Sequence, residues 1–515
     1  MATIVDFYKG KSVFITGGTG FMGKVLIQRL LTCCPDIQRI YVLVRSTAKE
    51  SSQERLTSAL STVAFKDICM SDKENLRKVC AISGDMVGVD LGIRHDDLQM
   101  LFESVSVVFH TAATVKFDEA LKTAIEVNVS GTKKLLALCH EMRQLEAIVH
   151  VSTAYSNCHL KKIEEKIYPS PIQPNQLIDA LQWMDEGVLK AMTPGLIPPW
   201  PNTYTYAKAL AETIIISDGS NLKIGIVRPS IVGAAMRFPF PGYIDNYNGP
   251  SGLLAAIGKG ALRTMLGNRN AIADIVPVDY AVDLMIAVPW HLVNSSSREP
   301  QVYNFTSGSV NPLTWGYVQD STLANFRRNP VDCVYRIPAA NFTQNKIVHT
   351  FWTLFDHLLP AHLSDLVLMA QGKKPTVVRS YGKLHRALKS LDYFTQGSWD
   401  FRSDNVAAIW QSLPLSDRKV FDFELSNLSW KDYMEKFCLG VKVYLLHERL
   451  DRLPQARQNF ARRVSITRTV LGIVAVILVS IICRKLKLLR HSWVVSLTAL
   501  FRMVVLLSRL LSSRK

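Results

Sequence analysis

A tyrosine and a lysine four residues apart, Tyr204 and Lys208 in NTYTYAKALAE, are placed to do chemistry together. On a helix, positions i and i+4 share one face, so the ammonium can sit beside the phenol and favour its ionised form. A free phenol has a pKa near 10, so proton transfer at neutral pH needs such help. Upstream, the run HVSTAYS supplies Thr153, with Ser152 as neighbour or substitute. A hydroxyl there would hold a carbonyl oxygen that takes its proton from Tyr204 while hydride attacks the carbonyl carbon. Tyr206 lies two residues off the lysine spacing and points away. The YxxxK pattern alone is common by chance. Its weight here comes from chain order, after a glycine loop and a Ser-Thr strand end and before a strand ending in Arg228-Pro229-Ser230.

The glycine loop lies in SVFITGGTGFMGKVLIQRLL, where an apolar strand enters and an amphipathic helix leaves. Gly17, Gly20 and Gly23 have the spacing that lets backbone N–H groups at a helix N-terminus meet a pyrophosphate, with Thr19, Phe21 and Met22 in the same turn. An acidic residue about 20 positions further on would hold the ribose 2′-hydroxyl of NAD. The next strand, IYVLV, ends instead in Arg45, and a guanidinium suits a 2′-phosphate, so the expected cofactor is NADPH. Two further strand ends fit the same site. Asp85 in SGDM could bond the adenine amino group or cap a turn, and His110 to Thr114, HTAAT, brings small residues, Ala112 and Ala113, against the adenosine. Lys208 would also bond the nicotinamide ribose, and Arg228 is grouped with the cofactor contacts.

These residues need a scaffold. Short Val- and Ile-rich runs, Ser12 to Thr16, Ile40 to Val44, Val79 to Ser83, Val105 to His110, Ala147 to Ser152 and Ile224 to Val227, alternate with helical patterns over the first 230 residues. That alternation predicts an α/β, Rossmann-type doubly wound parallel sheet. Residues 1–329 form the expected cofactor-binding reductase domain, with substrate-side elements within 159–203 and 231–329. Seven of the 22 prolines fall between Thr153 and Tyr204, which predicts an ordered loop or lid leading to the site. From Pro330 the pattern turns to long helical stretches with scattered aromatics, a second, mostly helical domain over 330–450.

The net charge of +17 resembles a nucleic-acid footprint until its distribution is read. From Asp451 onward there are 13 Lys or Arg and one Asp, so most of the charge belongs to the tail and nucleic acid is not an expected partner. That tail, 451–515, holds Thr469 to Cys483, 15 residues without a charge that span about 22 Å as a helix. Bracketed by basic residues, it predicts a C-terminal membrane anchor over about 465–485, inserted after synthesis because no signal peptide precedes the first strand. A second apolar stretch, Ser492 to Leu511, carries Arg502 and Arg509 and could span or lie in the interface. The nine cysteines have neither CxxC pairs nor regular spacing, so reduced packing residues are expected, with no metal site.

Taken together, TGGTGFMGKVL, YVLVR, HTAATVKF, HVSTAYSNC, NTYTYAKALAE, VRPSIVGA, PGYIDNYNGPSG and WKDYMEKFCLGVKVYLL resemble the alcohol-forming fatty acyl-coenzyme A reductases, extended short-chain dehydrogenases with a C-terminal "sterile" domain. Gly18 and Met22 stand where that family more often has Ala and Leu, which would loosen the cofactor turn. The resemblance implies two NADPH-dependent reductions, from long-chain acyl-CoA to aldehyde and then to primary alcohol, with CoA released, serving wax or ether lipids. It also implies a single-pass tail anchor in the peroxisomal membrane with the catalytic part facing the cytosol, delivered by a peroxisomal membrane-protein import receptor. The endoplasmic reticulum is the alternative address. Lys259 and Arg263 in GKGALR are candidate cations for the CoA phosphates or plain surface charges. Reduction of another lipid, sterol or sugar-nucleotide carbonyl, and a non-catalytic NADPH-binding scaffold, remain alternative readings.

Overall fold

A computed structural model describes residues 2–71, 73–170, 172–332, 334–485 and 497–505. Seven short strands form one sheet: β1 (Ser12–Thr16), β2 (Arg39–Val44), β3 (Val79–Ser83), β4 (Val105–His110), β5 (Ala147–Val151), β6 (Ile224–Pro229) and β7 (Gln301–Phe305). Their order is β7-β6-β5-β4-β1-β2-β3, and every pairing is parallel. Six of them match the expected runs to within about two residues, an ordinary margin for element ends. β7 is not among those runs, because QVYNF interleaves polar and apolar residues as an edge strand does.

Each interior strand is buried on both faces, and its side chains alternate between two core layers. Val13, Ile15, Val42, Phe109 and Val149 enter one layer; Phe14, Leu43, Val108 and Ile148 enter the other. The first layer is closed by α1 (Phe21–Cys33), with Leu26 and Leu30, and the second by α2 (Gly131–Glu141) and α3 (Thr203–Asp218), with Leu136, Leu210 and Ile214. A second long helix over the first layer, α4 (Val278–Asn294), contributes Val282 and Met285.

The C-terminal region is mostly helical, and among the described residues most of its buried apolar side chains join clusters shared with residues 1–329. Phe421, Phe423, Tyr433 and Phe437 belong to the same cluster as Val13 and Met285. Two short parallel pairings, Asp400–Phe401 with Lys162–Ile163 and Asn341–Thr343 with Thr264–Leu266, stitch the regions together. Within it, α5 (Val377–Gln396) lies beside the site described below. The proline-rich segment before Tyr204 is not a plain loop. It contains helices Pro174–Trp183 and Glu186–Leu196, the first started by a proline at the position where the missing N–H leaves no helical bond unmade.

Among the described residues, one helix is long and apolar enough to cross a membrane, α6 (Leu453–Lys485). Over Leu450–Ile482 its best window has a mean hydropathy of 2.3 and none of it is buried, so by length and composition it is able to cross a membrane. The stretch from Ser492 to Leu511 lies largely outside the described residues. Within it residues 497–505 are helical, and Val504 lies alongside Gly472 of α6.

Candidate active site

The site begins where β1 ends. Gly17 turns the chain with φ +77°, and a Cβ there would lie 2.6 Å from the Ala112 backbone nitrogen. Only glycine allows that turn to meet the loop after β4. Gly20 N–H donates to the Gly17 carbonyl at 3.0 Å, and Gly23 lets α1 approach so closely that a Cβ would be 2.3 Å from the same oxygen. α1 starts at Gly20 with no side-chain cap, which leaves the first-turn N–H groups of Phe21 and Met22 available to an anion. The glycine at position 18 does not loosen the turn, since the space of its missing Cβ is taken by Val42, whose Cγ1 would be 2.5 Å away.

These glycines line one end of a cavity of about 1420 Å³ at the carboxyl ends of β1 and β4, where the strand order reverses. Thr19, Phe21 and Met22 line it beside them, and Arg45, Asp85, Ala112 and Ala113 line it further along. Thr153, Tyr204 and Lys208 line the same cavity, so of the residues expected to hold the cofactor or do the chemistry all but Arg228 converge on it. Its volume exceeds the roughly 300–1,000 Å³ usual for a single ligand, leaving room for a dinucleotide and a second molecule.

α3 carries Tyr204 and Lys208. It starts at Asn202, whose side chain accepts the Thr205 N–H at 2.9 Å. Burial pushes the Tyr204 phenol up to about 12, opposed by a hydrogen bond from Thr153. Burial pulls Lys208 down to about 8, opposed by Glu212. The two side chains share a helix face, but the ammonium donates to the Val151 carbonyl at 2.7 Å, and the phenol is kept protonated by burial rather than ionised by Lys208. Phe117 stacks on the Tyr204 ring at 5.6 Å. Behind the strand ends, His110 bridges the hydroxyls of Thr16 and Thr132 at 2.7 and 2.9 Å, and burial holds its imidazole neutral, at about 3.

Other candidates are placed elsewhere. Arg228 does not line the cavity. It is fully buried, with Nε and Nη2 on the Glu212 carboxylate at 2.9 and 2.6 Å and the remaining donors on the Glu164 and Lys166 carbonyls and Asn304 Oδ1. The cofactor role expected for it is therefore corrected to that of a clamp between α3, β6 and the loop at Glu164. Ser152 lines the cavity but donates its hydroxyl to Glu212, which removes it as a substitute for Thr153. Tyr206 is wholly buried against Trp200, away from the cavity. Arg263 bonds the Ile337 carbonyl at 2.8 Å and Asp356 at 3.4 Å, and neither it nor Lys259 reaches the cavity. Arg45 and Asp85 face each other at 3.7 Å, so the cation expected for a phosphate is partly held by the acid expected for adenine.

The sequence reading missed several lining residues. Arg55 joins Arg45 through that residue's carbonyl. From α5 come Lys383, Leu384, Arg386, Leu388, Leu391 and Phe394. Phe394 packs on Phe117 and Tyr155 at 5.4 and 5.1 Å, and the neighbouring Tyr393 hydroxyl and Trp399 indole both donate to the Cys158 carbonyl. The C-terminal region thus buttresses the turn that follows Thr153. The periodic apolar stripe Leu384, Leu388, Leu391 with cations between was visible in the sequence, but not the surface it faces.

The NAD-binding family model described as male sterility protein matches residues 15–285, and the Sterile model of the same description matches residues 356–448. Fatty acyl-CoA reductase 1 of Xenopus laevis is 42% identical over 493 residues, 96% of each chain. Fatty acyl-CoA reductase 2 of Homo sapiens is 42% identical over 465 residues, 90% of each chain. Among solved structures, the terminal R domain from the myxalamid PKS-NRPS biosynthetic pathway aligns with a TM-score of 0.58 at 17% identity, covering 85% of this chain and 91% of that one. The reductase domain of nonribosomal peptide synthetase from Mycobacterium tuberculosis gives 0.57 at 16%, covering 86% and 95%. At such identities the two structures establish the fold alone. The glycine turn lies within the residues matched by the NAD-binding model, and the chain binds a nicotinamide cofactor.

Proposed function

The chain belongs to the fatty acyl-CoA reductase family, and from that premise we propose that it reduces a long-chain fatty acyl-CoA to the primary alcohol in two hydride transfers from NADPH, releasing CoA. The observation that carries this reading is the large cavity joining the glycine turn, Thr153, Tyr204 and Lys208, and the apolar stripe of α5. The turn and Arg45 would hold the dinucleotide, Lys208 its nicotinamide ribose, and α5 the acyl chain. When bound, the nicotinamide supplies the hydride.

The protein's own part is proton chemistry. Thr153 holds the carbonyl oxygen, and Tyr204, protonated at neutral pH, donates its proton as charge develops there. Lys208 stabilises the phenolate left behind. The hemithioacetal so formed returns its hydroxyl proton to the Tyr204 phenolate as it collapses and expels the CoA thiolate, and the aldehyde is a carbonyl that the same three residues would hold and protonate for a second hydride once the oxidised cofactor has exchanged. Lys383 and Arg386, exposed at the cavity, replace Lys259 and Arg263 as the cations for the CoA phosphates. The purpose of the alcohol, wax or ether lipid, and a tail anchored through α6 in the peroxisomal membrane, brought there by its import receptor, with the catalytic part in the cytosol, complete the proposal.

The test is detergent-solubilised protein with NADPH and palmitoyl-CoA, products followed by mass spectrometry. Hexadecanol is expected. Aldehyde alone would remove the second round, and no product despite cofactor binding would favour another carbonyl substrate. In the same assay Arg386→Ala raises KM for acyl-CoA and leaves that for NADPH.

Two further outcomes follow. Losing a charge-assisted contact of about 1.5–3 kcal/mol, Arg45→Ala raises the Kd for NADPH roughly ten- to a hundredfold and leaves NADH unchanged. Equal affinity of the wild type for both cofactors would refute the phosphate role. The second concerns pH. Lys208 must be cationic to stabilise the phenolate, and its pKa is lowered to about 8 by burial. Below that value the charge is present, so kcat/KM is level on this account; above it kcat/KM falls about tenfold per pH unit. A profile flat to pH about 9.5 would separate Lys208 from the proton step.

A further inference from the structure

The continuous helical run from Lys346 to Ala370 is amphipathic the wrong way round for a surface helix in water. Several of its polar side chains face the protein, while Lys346, Thr350 and His362 are exposed. His357 is buried, taking the Arg263 N–H on Nε2 at 2.9 Å and sharing a hydrogen bond with His385 at 2.9 Å. Asp365 is buried and accepts the N–H groups of Thr376, Val377 and Val378, while Asp356 pairs with Arg336 at 3.0 Å. Its apolar side chains face outward: Ile347 is 81% exposed, Phe355 53%, Leu363 54% and Leu366 57%. A contiguous apolar face of this extent marks a surface that meets another apolar phase.

We propose that this face lies in the interfacial layer of the same bilayer that α6 enters, as a second, in-plane membrane contact. It rests on the reading of α6 as a membrane span. Two observations select a lipid surface over a protein partner. The first is continuity with the anchor. Tyr335 meets Ser364 on the polar side of the run through its hydroxyl, at 3.0 Å, and its carbonyl accepts a hydrogen bond from Arg463 of α6 at 2.8 Å. Arg463 precedes Thr469, the start of the uncharged segment, by six residues, about 9 Å of helix. The run is therefore joined through one residue, Tyr335, to α6 a short way before the anchor leaves the protein. The second is charge. Exposed Lys346 starts the run and exposed Lys373, Lys374 and Arg379 follow it, which suits anionic headgroups around an inserted apolar face. Because α5, which follows directly, lines the large cavity, this contact would set the cavity's α5 wall beside the membrane in which a long acyl chain partitions.

The experiment uses the full chain in nanodiscs of phosphatidylcholine and phosphatidylserine, with an environment-sensitive fluorescent amino acid at the position of Leu363 or, separately, of Ile477 in α6. Unchanged NADPH affinity verifies folding of each labelled protein. Emission at both positions is expected to shift to the blue and to be quenched several-fold when brominated lipid replaces ordinary lipid. Quenching at 477 with water-like emission at 363 would overturn the proposal while leaving the anchor in place. No quenching at either position would overturn it by removing the anchor itself. A blue shift at 363 without quenching would mean that another protein chain, such as a second copy, covers the face, and would overturn it as well.

Discussion

Tyr204→Phe is expected to lower kcat by about 10²–10⁴-fold, the range for loss of a positioned proton donor, while leaving NADPH binding in place. The substitution removes one oxygen and little else. The ring remains stacked on Phe117 and the wall beside it is kept. The loss is large because the phenol, pushed up to about 12 by burial, carries its proton throughout the working range, as a donor in a reduction must. Single-turnover measurement of NADPH oxidation, with acyl-CoA saturating, separates the chemical step from binding. A phenylalanine variant that turns over at close to the wild-type rate would mean that the carbonyl oxygen takes its proton from another group.

Arg228→Ala is expected to destabilise the fold by about 3–5 kcal/mol, the usual consequence of breaking a buried ion pair from one side. Glu212 would be left buried without its partner, and the Glu164 and Lys166 carbonyls would lose their donor. The thermal midpoint falls, and the protein that remains folded binds NADPH as before, because the guanidinium does not reach the cavity. Unchanged stability with weakened NADPH binding would return Arg228 to the cofactor site. Glu212 ties this pair to the chemistry, since its charge keeps Lys208 from falling further below about 8.

Much of the site was legible in the sequence because it is encoded by local geometry. A glycine turn between a strand and a helix has one workable spacing, and Gly17 and Gly23 occupy the positions where a Cβ would strike the backbone. Tyr204 and Lys208 share a helix face because the helical period places them there. The apolar runs mark parallel strands because a strand covered on both sides has no polar face to show. Gly18 looked like a defect on pattern alone, yet Val42, from the neighbouring strand, fills its space.

The sequence by itself determined the doubly wound sheet, the cofactor turn and the residues proposed for the proton chemistry, since each depends on the period of a helix or strand or on the steric demands of one turn. Only the tertiary structure decided which charges are free to meet a ligand. Arg228 is neutralised by Glu212, 16 residues away, while Lys383 and Arg386, far along the chain, open onto the cavity. Only the tertiary structure, too, turned the polar side of the Lys346–Ala370 run inward. A pattern of apolar and polar residues fixes that a helix has two faces; which face meets the protein depends on partners such as Arg263, Arg336 and His385, brought together by packing across the whole chain.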